Sequence, residues 1–221
     1  MPSQETTGGK MIEKLACSLG RNDEKPNVEL ALELIKTKNR NGIREIVDGL
    51  NSSSEQTAND CIKVLYEIGE REPELIAQHV DAFIRLLKSK NNRLVWGAMT
   101  ALSRIAAIKP QEIFDSLDTV IKAYEKGSVI TVDNSISVFA ELARSGLKYE
   151  RRVFPIIIRH LETCRPKEVG QHSERAYICV TKNNSGLFSG TLLKRRDSLT
   201  GAQKKRVDKL LKKIKDGQCG G

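Results

Sequence analysis

Three histidines and five cysteines are the residues of this sequence best suited to metal chemistry. His160 and Cys164 are four residues apart, a spacing that places two side chains on one face of a helix, and His172 and Cys179 follow as further possible ligands. Zinc sites use such groups, but this spacing matches no recognised closed set of zinc ligands. We therefore expect ordinary surface histidines and buried thiols, with no metal site and no cofactor.

Patterns typical of catalysis are equally sparse. Gly8-Gly9-Lys10 places a glycine pair before a lysine, but it lacks the longer loop and the strand of a phosphate-binding P-loop. Carboxylate pairs are numerous, as in any charged helical protein, and the sequence indicates no apolar pocket that would raise the pKa of one member. The cysteines are odd in number, far apart and never in a Cys-x-x-Cys pair, which predicts free thiols in a reducing compartment.

The charge of the chain is unevenly distributed. The 221 residues include 37 Lys plus Arg and 28 Asp plus Glu, a net charge of +9, and the segment after Glu150 carries +11 while the rest carries −2. Such asymmetry indicates an acidic partner for one end of the molecule. A membrane helix needs an apolar run of roughly 20 residues, and we find neither that nor a signal-peptide core. We therefore expect a cytoplasmic protein.

Apolar residues recur at a fixed interval of 37 positions. Each group has the spacing i, i+3, i+4, i+7, which is one stripe of an amphipathic helix. The four stripes are Ile43, Ile46, Val47 and Leu50, then Val80, Phe83, Ile84 and Leu87, then Leu117, Val120, Ile121 and Tyr124, and then Phe154, Ile157, Ile158 and Leu161. The pattern predicts four equivalent helices that bury these residues in a common core.

A second series of helices lies between the first, again at intervals of 37 residues. Its stripes are Cys61, Val64, Leu65 and Ile68, then Ala98, Ala101, Leu102 and Ile105, and then Ser135, Val138, Phe139 and Leu142. After an insertion of one residue, Ser173, Ala176, Tyr177 and Val180 continue it. Pro73 and Pro110 mark where one helix ends and the next begins. Each unit is therefore predicted to be a helical hairpin, with Pro26 to Lys36 as an atypical first helix.

The segment from Asn92 to Ala106 resembles the first helix of a HEAT repeat. In that family an Asx-led turn precedes Val-Arg, followed by alanines, Ala-Leu and a closing Ile, and this sequence has Trp96 where the family often has Arg. The resemblance covers residues 26–183 and implies an all-α, right-handed, armadillo-like α-solenoid of about five hairpins. It carries information on architecture and very little on activity.

The predicted organisation has three parts. Residues 1–25 form a partly mobile N-terminal segment, residues 26–183 form the repeats, and residues 184–221 form a basic loop and an amphipathic helix. Thr200 and Gln203 match a capping box, and Gly217 is a plausible residue to end that helix. The helix either caps the last repeat or acts as an electrostatic arm for an acidic protein, nucleic acid or anionic lipid.

Polar positions on the second helices form two ladders across the repeats. These are Asp48, Arg85, Lys122 and Arg159, and Asn41, Gln78, Asp115 and Arg152. Because second helices commonly line the concave face of a solenoid, we predict that the basic members form part of a positively charged groove: Arg85, Lys122, Arg152 and Arg159. The alternative is a solvated face in which Asp81, Asp118, Glu125 and Glu162 supply ion pairs within the helices.

The predicted function is that of a non-enzymatic scaffold or adaptor that binds an acidic protein surface or peptide. The C-terminal helix and the residues before it extend the predicted binding surface through Lys194, Arg195, Arg196, Lys205, Arg206, Lys209, Lys212 and Lys213. A first alternative is a nucleic-acid-binding protein that uses the same basic surface. A second is a HEAT-like DNA-processing enzyme such as an alkylpurine glycosylase, although neither its catalytic acid nor its aromatic cluster is found in this sequence.

Overall fold

The computed structural model describes residues 10–221, which are all-α, with no strand among them. The chain divides into two compact units, Met1–Ile108 and Lys109–Gly221. The helices of the first unit are α1 Lys25–Thr37, α2 Arg40–Gly49, α3 Glu55–Arg71, α4 Glu74–Ala77, α5 Val80–Leu86 and α6 Asn92–Ile105. Those of the second unit are α7 Pro110–Asp115, α8 Leu117–Lys126, α9 Val129–Arg144, α10 Leu147–Thr163, α11 Pro166–Ala176, α12 Ser185–Arg196 and α13 Gly201–Lys215.

Within each unit the first helices of successive repeats pack side by side. In the first unit α1 contacts α3, α3 contacts α6, and the second helices α2 and α5 pack on α3 and α6 respectively. In the second unit α9 contacts α11 and α11 contacts α13, while α10 packs against both α9 and α12. The apolar stripes lie at these contacts. The apolar surface whose burial drives the packing is therefore distributed over the repeats of each unit.

The predicted stripes are core residues, as the 37-residue interval requires. Of the sixteen residues of the second-helix stripes, all but Ile121 and Tyr124 are buried. All twelve residues of the first-helix stripes that begin at Cys61, Ala98 and Ser135 are buried as well. The helical periodicity and the all-α repeat fold are therefore confirmed, and the two partly exposed exceptions lie together on α8.

Polar residues start several of the first helices. Ser54 Oγ accepts a hydrogen bond from the Thr57 backbone N–H, and Asn91 Oδ1 accepts one from the Arg93 backbone N–H at 2.9 Å. Ser128 does the same at the start of α9. These bonds satisfy backbone donors that have no partner inside the helix, and they set where each first helix begins.

The second helices of two repeats differ from the predicted hairpins because each is divided. His79 separates α4 from α5 and Ser116 separates α7 from α8, with φ values of −101° and −107°. The equivalent position in the next repeat is Val153, which lies inside the continuous helix α10. The buried Val153 adds apolar surface to the core at this position, whereas the half-buried Ser116 makes no side-chain capping hydrogen bond to α8.

The stretch after residue 183, which we predicted to be a loop, contains a helix instead. Helix α12 begins at Ser185, packs against α10, and buries Phe188, Thr191 and Leu192. These three residues form a short stripe at i, i+3, i+4, but glycine and serine surround it and obscure the pattern. Tertiary packing overrides the poor helix propensity of Gly186 and Gly190. Helix α12 is therefore the second helix of a fifth repeat.

Helix α13 begins after Thr200 and ends before Gly217, both as predicted, but its start lacks the predicted side-chain cap. Gly217 has a φ of +75°, a left-handed conformation that suits glycine, and it follows the last residues of α13. The Thr200 side chain makes no capping hydrogen bond, so the predicted capping box is absent. Gln203 packs against Gly170 of α11 instead of reaching back to Thr200, and its Oε1 is buried without a hydrogen-bond partner among residues 10–221.

The N-terminal segment is ordered over its described part. Residues 1–9, including Gly8 and Gly9 of the weak glycine motif, lie outside the described residues. A 3-10 turn at Met11–Lys14 packs against α2, and Leu15 and Ala16 are buried. The buried Asn27 side chain accepts a hydrogen bond from the Ala16 backbone N–H at 2.9 Å, which ties this segment to α1.

Candidate functional site

A groove between α8 and α10 is the candidate binding site in the second unit. Its volume is about 490 Å³. The lining residues are Ile121, Tyr124, Glu125, Pro155, Ile156 and Arg159. Four of these six side chains are wholly or largely apolar, and the charged pair Glu125 and Arg159 provides one group of each sign. The site can therefore receive an apolar side chain from a ligand and orient a charged group beside it.

The two helices create this groove because the stripe of α8 is only partly covered. Ile121 and Tyr124 remain partly exposed at the place where α10 presents Pro155 and Ile156. Pro155 lies inside α10 and has no N–H to donate to the carbonyl of Arg151, so one helical hydrogen bond is missing there. The exposed pyrrolidine ring adds a rigid apolar surface at the groove.

The predicted basic residues on second helices are exposed. Lys122, Arg152 and Arg159 all lie in the second unit, and none forms an ion pair with a residue in 10–221. Arg85 is also exposed and without an ion pair in that range, but it lies on α5 in the first unit. The ion pairs of the alternative are therefore absent from the described residues, while the exposure of all four side chains fits a solvated helix face as well as a binding groove.

The predicted C-terminal basic residues fall into two groups, of which one makes contacts within the chain. Arg195 donates to the carbonyls of Leu161, Glu162 and Cys164 at 2.9, 2.5 and 2.7 Å, where it caps the C-terminus of α10. The remaining pairs of this group are Arg196 with Asp208, Arg206 with Glu174, and Lys213 with the ring of Tyr177. These four basic residues stabilise the C-terminal helices.

The other group remains open to solvent. Lys194, Lys205, Lys209 and Lys212 are exposed, and their side chains have no ion pair with any residue in 10–221. Three of them lie on α13, which also packs its apolar side against α11 and α12 through Val207 and Leu210. One helix thus covers apolar surface on one side and presents positive charge on the other.

A chain of hydrogen-bonded polar side chains, with the buried His160 and His172 at its centre, lies next to the groove. Tyr124 O–H donates to His160 Nδ1 at 2.9 Å, and His160 Nε2 lies 2.7 Å from His172 Nδ1. His172 Nε2 lies 2.7 Å from Asp133 Oδ1. The Asp133 carboxylate can only accept, so His172 Nε2 carries a proton and donates it to Asp133. His172 Nδ1 then accepts from His160 Nε2, and His160 Nδ1 accepts from the Tyr124 hydroxyl.

The expectation of surface histidines is wrong for this pair, because His160 and His172 are buried between α9, α10 and α11. Burial, with repulsion from His172, lowers the pKa of His160 to about 4, so its imidazole is neutral at pH 7. Cys164 Sγ lies within 4.8 Å of ligand nitrogens of both histidines, and burial raises the pKa of its thiol to about 11. Cys179 lies outside this cluster, with its thiol directed at the Ala176 carbonyl.

The first unit contains a polar cluster of a different kind. Lys63, whose side chain is 11% exposed, forms ion pairs with Glu24 at 3.1 Å and Glu67 at 2.7 Å. Glu67 also pairs with Arg71, and Glu24 pairs with Arg93. Partial burial alone would raise the pKa of Glu67, but the hydrogen bonds from Lys63 and Arg71 outweigh it and hold the pKa below 4.5. This cluster is therefore ionised near neutral pH.

The fold can be compared with known proteins. No protein-family model and no curated protein sequence matches the chain. Among solved structures, an engineered protein is 18% identical with a TM-score of 0.65, over 94% of this chain and 98% of that one. Kap121p bound to Pho4p is 14% identical with a TM-score of 0.68, over 92% of this chain and 23% of that one.

A designed armadillo repeat protein in complex with the peptide (KR)4 is 13% identical with a TM-score of 0.66, over 93% of this chain and 97% of that one. The chain has an armadillo/HEAT-type solenoid fold. Armadillo and HEAT repeats consist of two or three helices, and this solenoid contains both forms, since α4 and α7 add a third helix to two of its repeats. In residues 10–221, no helix combines the length and apolarity needed to cross a membrane.

Sequence reasoning missed several residues of these sites. Ile121 and Tyr124 were assigned to packing because a stripe does not reveal how completely the next helix covers it. Spacing offered a signal for the buried chain: Tyr124 and His160 are 36 positions apart, and Asp133 and His172 are 39 apart. Both separations are close to the 37-residue interval, so each pair lies on equivalent helices of neighbouring repeats.

Proposed function

We propose that this armadillo/HEAT-type chain is a non-enzymatic scaffold that binds an acidic peptide segment in the groove between α8 and α10. The observation that carries the proposal is the combination of an apolar floor with basic residues that have no partner in residues 10–221. Ile121 and Ile156 supply the floor. Arg159 lines the groove opposite in sign to Glu125, and Lys122 is an exposed basic residue of the same helix as Glu125, α8. A ligand with one apolar side chain beside Asp or Glu complements both features.

Solved structures of the same fold support a peptide or protein as the ligand. One designed armadillo repeat protein is a complex with the peptide (KR)4, and Kap121p is bound to Pho4p. The peptide (KR)4 is basic, whereas the exposed charges in the second unit of this chain are predominantly basic. Charge complementarity therefore favours an acidic ligand here.

The expected binding energy has two sources. Burying an aliphatic side chain against Tyr124, Pro155 and Ile156 contributes about 0.8 kcal/mol per CH₂ group removed from water. Lys122, Arg152 and Arg159 are solvent-exposed, so they contribute more to the rate of encounter and to specificity than to affinity. Lys205, Lys209 and Lys212 on α13 add to the positive field that attracts an acidic segment.

The experiment is selection of a displayed random peptide library on the immobilised full chain, followed by fluorescence anisotropy with the selected peptides. We expect enrichment of peptides with an aliphatic or aromatic residue next to Asp or Glu. The double variant Lys122→Glu with Arg159→Glu should weaken these peptides at least tenfold and leave the melting temperature unchanged. The matched control is Lys167→Glu with Lys182→Glu, which reverses two exposed charges elsewhere in the second unit.

Two outcomes would contradict the proposal. One is selection of peptides without acidic residues, or equal binding by the two double variants. The other is that a single-stranded oligonucleotide binds more tightly than any peptide, with affinity that falls steeply as salt rises, because that behaviour indicates phosphate binding. A peptide held by an apolar anchor should retain most of its affinity at high salt.

A further inference from the structure

The buried histidine pair has the arrangement of two metal ligands whose outer nitrogens are already held. His172 Nε2 donates to Asp133 at 2.7 Å, and His160 Nδ1 bonds the Tyr124 hydroxyl at 2.9 Å. The two inner nitrogens, His160 Nε2 and His172 Nδ1, face each other at 2.7 Å. A histidine that binds a metal nearly always uses its other ring nitrogen in this way, because the outer bond fixes the tautomer and the ring orientation.

A third ligand lies one helical turn from His160. Cys164 directly follows α10 and is 9% exposed, and within residues 10–221 its sulfur makes only a long hydrogen bond of 4.0 Å to the Leu161 carbonyl. Its Sγ and the ligand nitrogens of the two histidines all lie within 4.8 Å of one another. Arg195 donates to the Cys164 carbonyl at 2.7 Å, which fixes the end of α10 at this cysteine. The cluster thus offers two imidazoles and a sulfur in a largely closed space.

We propose that His160, Cys164 and His172 bind one zinc ion inside the second unit. Nitrogen and sulfur donors in a site of this size suit Zn²⁺, with Zn–N about 2.0 Å and Zn–S about 2.3 Å. A tetrahedral ion needs the two nitrogens about 3.3 Å apart, so the rings separate by about 0.6 Å when the ion replaces their shared proton. A water molecule takes the fourth position. The three ligands lie outside the lining of the peptide groove proposed above, and Tyr124, which bonds His160, lies in that lining.

Zinc binding at this site releases one proton to solvent. Before binding, Tyr124 O–H donates to His160 Nδ1 and His160 Nε2–H donates to His172. On binding, the His160 proton moves to Nδ1 and is donated to the Tyr124 oxygen, which frees Nε2 for the ion. His172 keeps its proton on Nε2 for Asp133, and Cys164 loses its thiol proton to solvent. One proton is therefore released for each zinc ion bound.

The test is titration of the chelator-treated full chain with Co²⁺ and then with Zn²⁺. We expect one Co²⁺ per chain, visible d–d absorption and a near-ultraviolet thiolate-to-cobalt band, displacement by Zn²⁺, and a zinc-dependent rise in melting temperature. Cys164→Ser should abolish the thiolate band and weaken binding at least tenfold. Cys179→Ser is the matched control, because that buried thiol lies outside the cluster, and it should bind as the unchanged chain does.

Asp133→Asn tests the hydrogen bond between His172 Nε2 and Asp133 separately. It should lower zinc affinity about 10-fold to 100-fold while the thiolate-to-cobalt band persists, because Asp133 orients His172 without touching the ion. The proposal is overturned if the unchanged chain gives neither the cobalt bands nor a zinc-dependent shift in melting temperature at millimolar metal. It is equally overturned if Cys164→Ser, folded with the melting curve of the metal-free chain, binds cobalt as tightly as Cys179→Ser.

Discussion

Asp60 in the first unit and His172 in the second occupy equivalent positions of the repeat once the one-residue insertion is counted. Each lies on a first helix and contacts the preceding first helix. Asp60 accepts a hydrogen bond from Asn27 at 2.7 Å and another from the Cys17 backbone N–H at 2.8 Å. His172 donates to Asp133 and accepts from His160, which continues the chain to a second helix.

The surroundings of these two positions differ in charge. Beside Asp60, the ionised residues Lys63, Glu24 and Glu67 join α1 to α3. Beside His172, the bonded groups other than Asp133 are neutral, since burial keeps the His160 imidazole uncharged at pH 7. A polar position in the repeat can therefore connect neighbouring first helices either through charges, which respond to acid and salt, or through neutral rings, which depend on complete hydrogen bonding.

Removing the centre of the neutral chain should have the largest effect. His172→Leu leaves the buried His160 N–H and the partly buried Asp133 carboxylate without their partner, and we expect a loss of about 3 kcal/mol of unfolding free energy. Urea denaturation of the metal-free chain at pH 7 measures it. Leu32→Ala, at an exposed residue of α1, is the control and should change stability by less than about 1 kcal/mol. A loss below 1 kcal/mol for His172→Leu would show that the chain is not tightly bonded in solution.

Removing the central charge of the first unit should have a smaller effect that depends on pH. Lys63→Met leaves Glu24 and Glu67 with their arginine partners, so we expect a loss of about 1 to 2 kcal/mol at pH 7. The pKa of Glu67 is lower in the folded state than its ordinary 4.5. Its contribution is therefore present above pH 4.5 and is lost as the pH falls through the lower folded value.

The pH dependence of stability separates a charge effect of Lys63 from a packing effect. Urea denaturation at pH 7 and again below pH 4 should show the difference between Lys63→Met and the unchanged chain shrinking in acid, as Glu67 takes up a proton. Lys36→Met, at an exposed residue of α1, should show no such dependence. A difference that stays constant between the two pH values would mean that Lys63 stabilises the unit through packing of its aliphatic stem and not through charge.

The parts of this fold that could be predicted are those encoded by local apolar periodicity. A stripe such as Phe154 to Leu161 specifies both a helix and its buried side, because both follow from the 3.6-residue turn. Helix α12 was missed because Phe188 and Leu192 give too short a stripe among glycines, and packing against α10 decides its conformation. The division at Ser116 was missed because a break in a helix depends on backbone geometry rather than on hydrophobic spacing.

The candidate sites also contain features that could be predicted from local sequence patterns and features that depend on tertiary packing. The exposure of Lys122 and Arg159 could be predicted from their places between the stripes. The capping role of Arg195 could not, because it requires the position of α12 relative to the end of α10. Whether these basic residues bind a partner stays a prediction. The meeting of His160 with His172 depends on how α10 and α11 pack, which no single helix pattern reveals.

The smallest predicted effect concerns a buried polar atom in the second unit. Gln203 Oε1 is buried at the contact of α13 with α11, and no residue in 10–221 donates to it. An unsatisfied buried oxygen is destabilising, so Gln203→Met, which keeps the length of the side chain, should raise stability by about 0.5 to 1 kcal/mol. Thermal melting measures the change. Gln218→Met, at an exposed residue beyond α13, is the control and should be neutral. If Gln203→Met lowers the stability instead, a water molecule hydrogen-bonds this oxygen. The contact of α13 with α11 is then hydrated, unlike the contact between the buried His160 and His172.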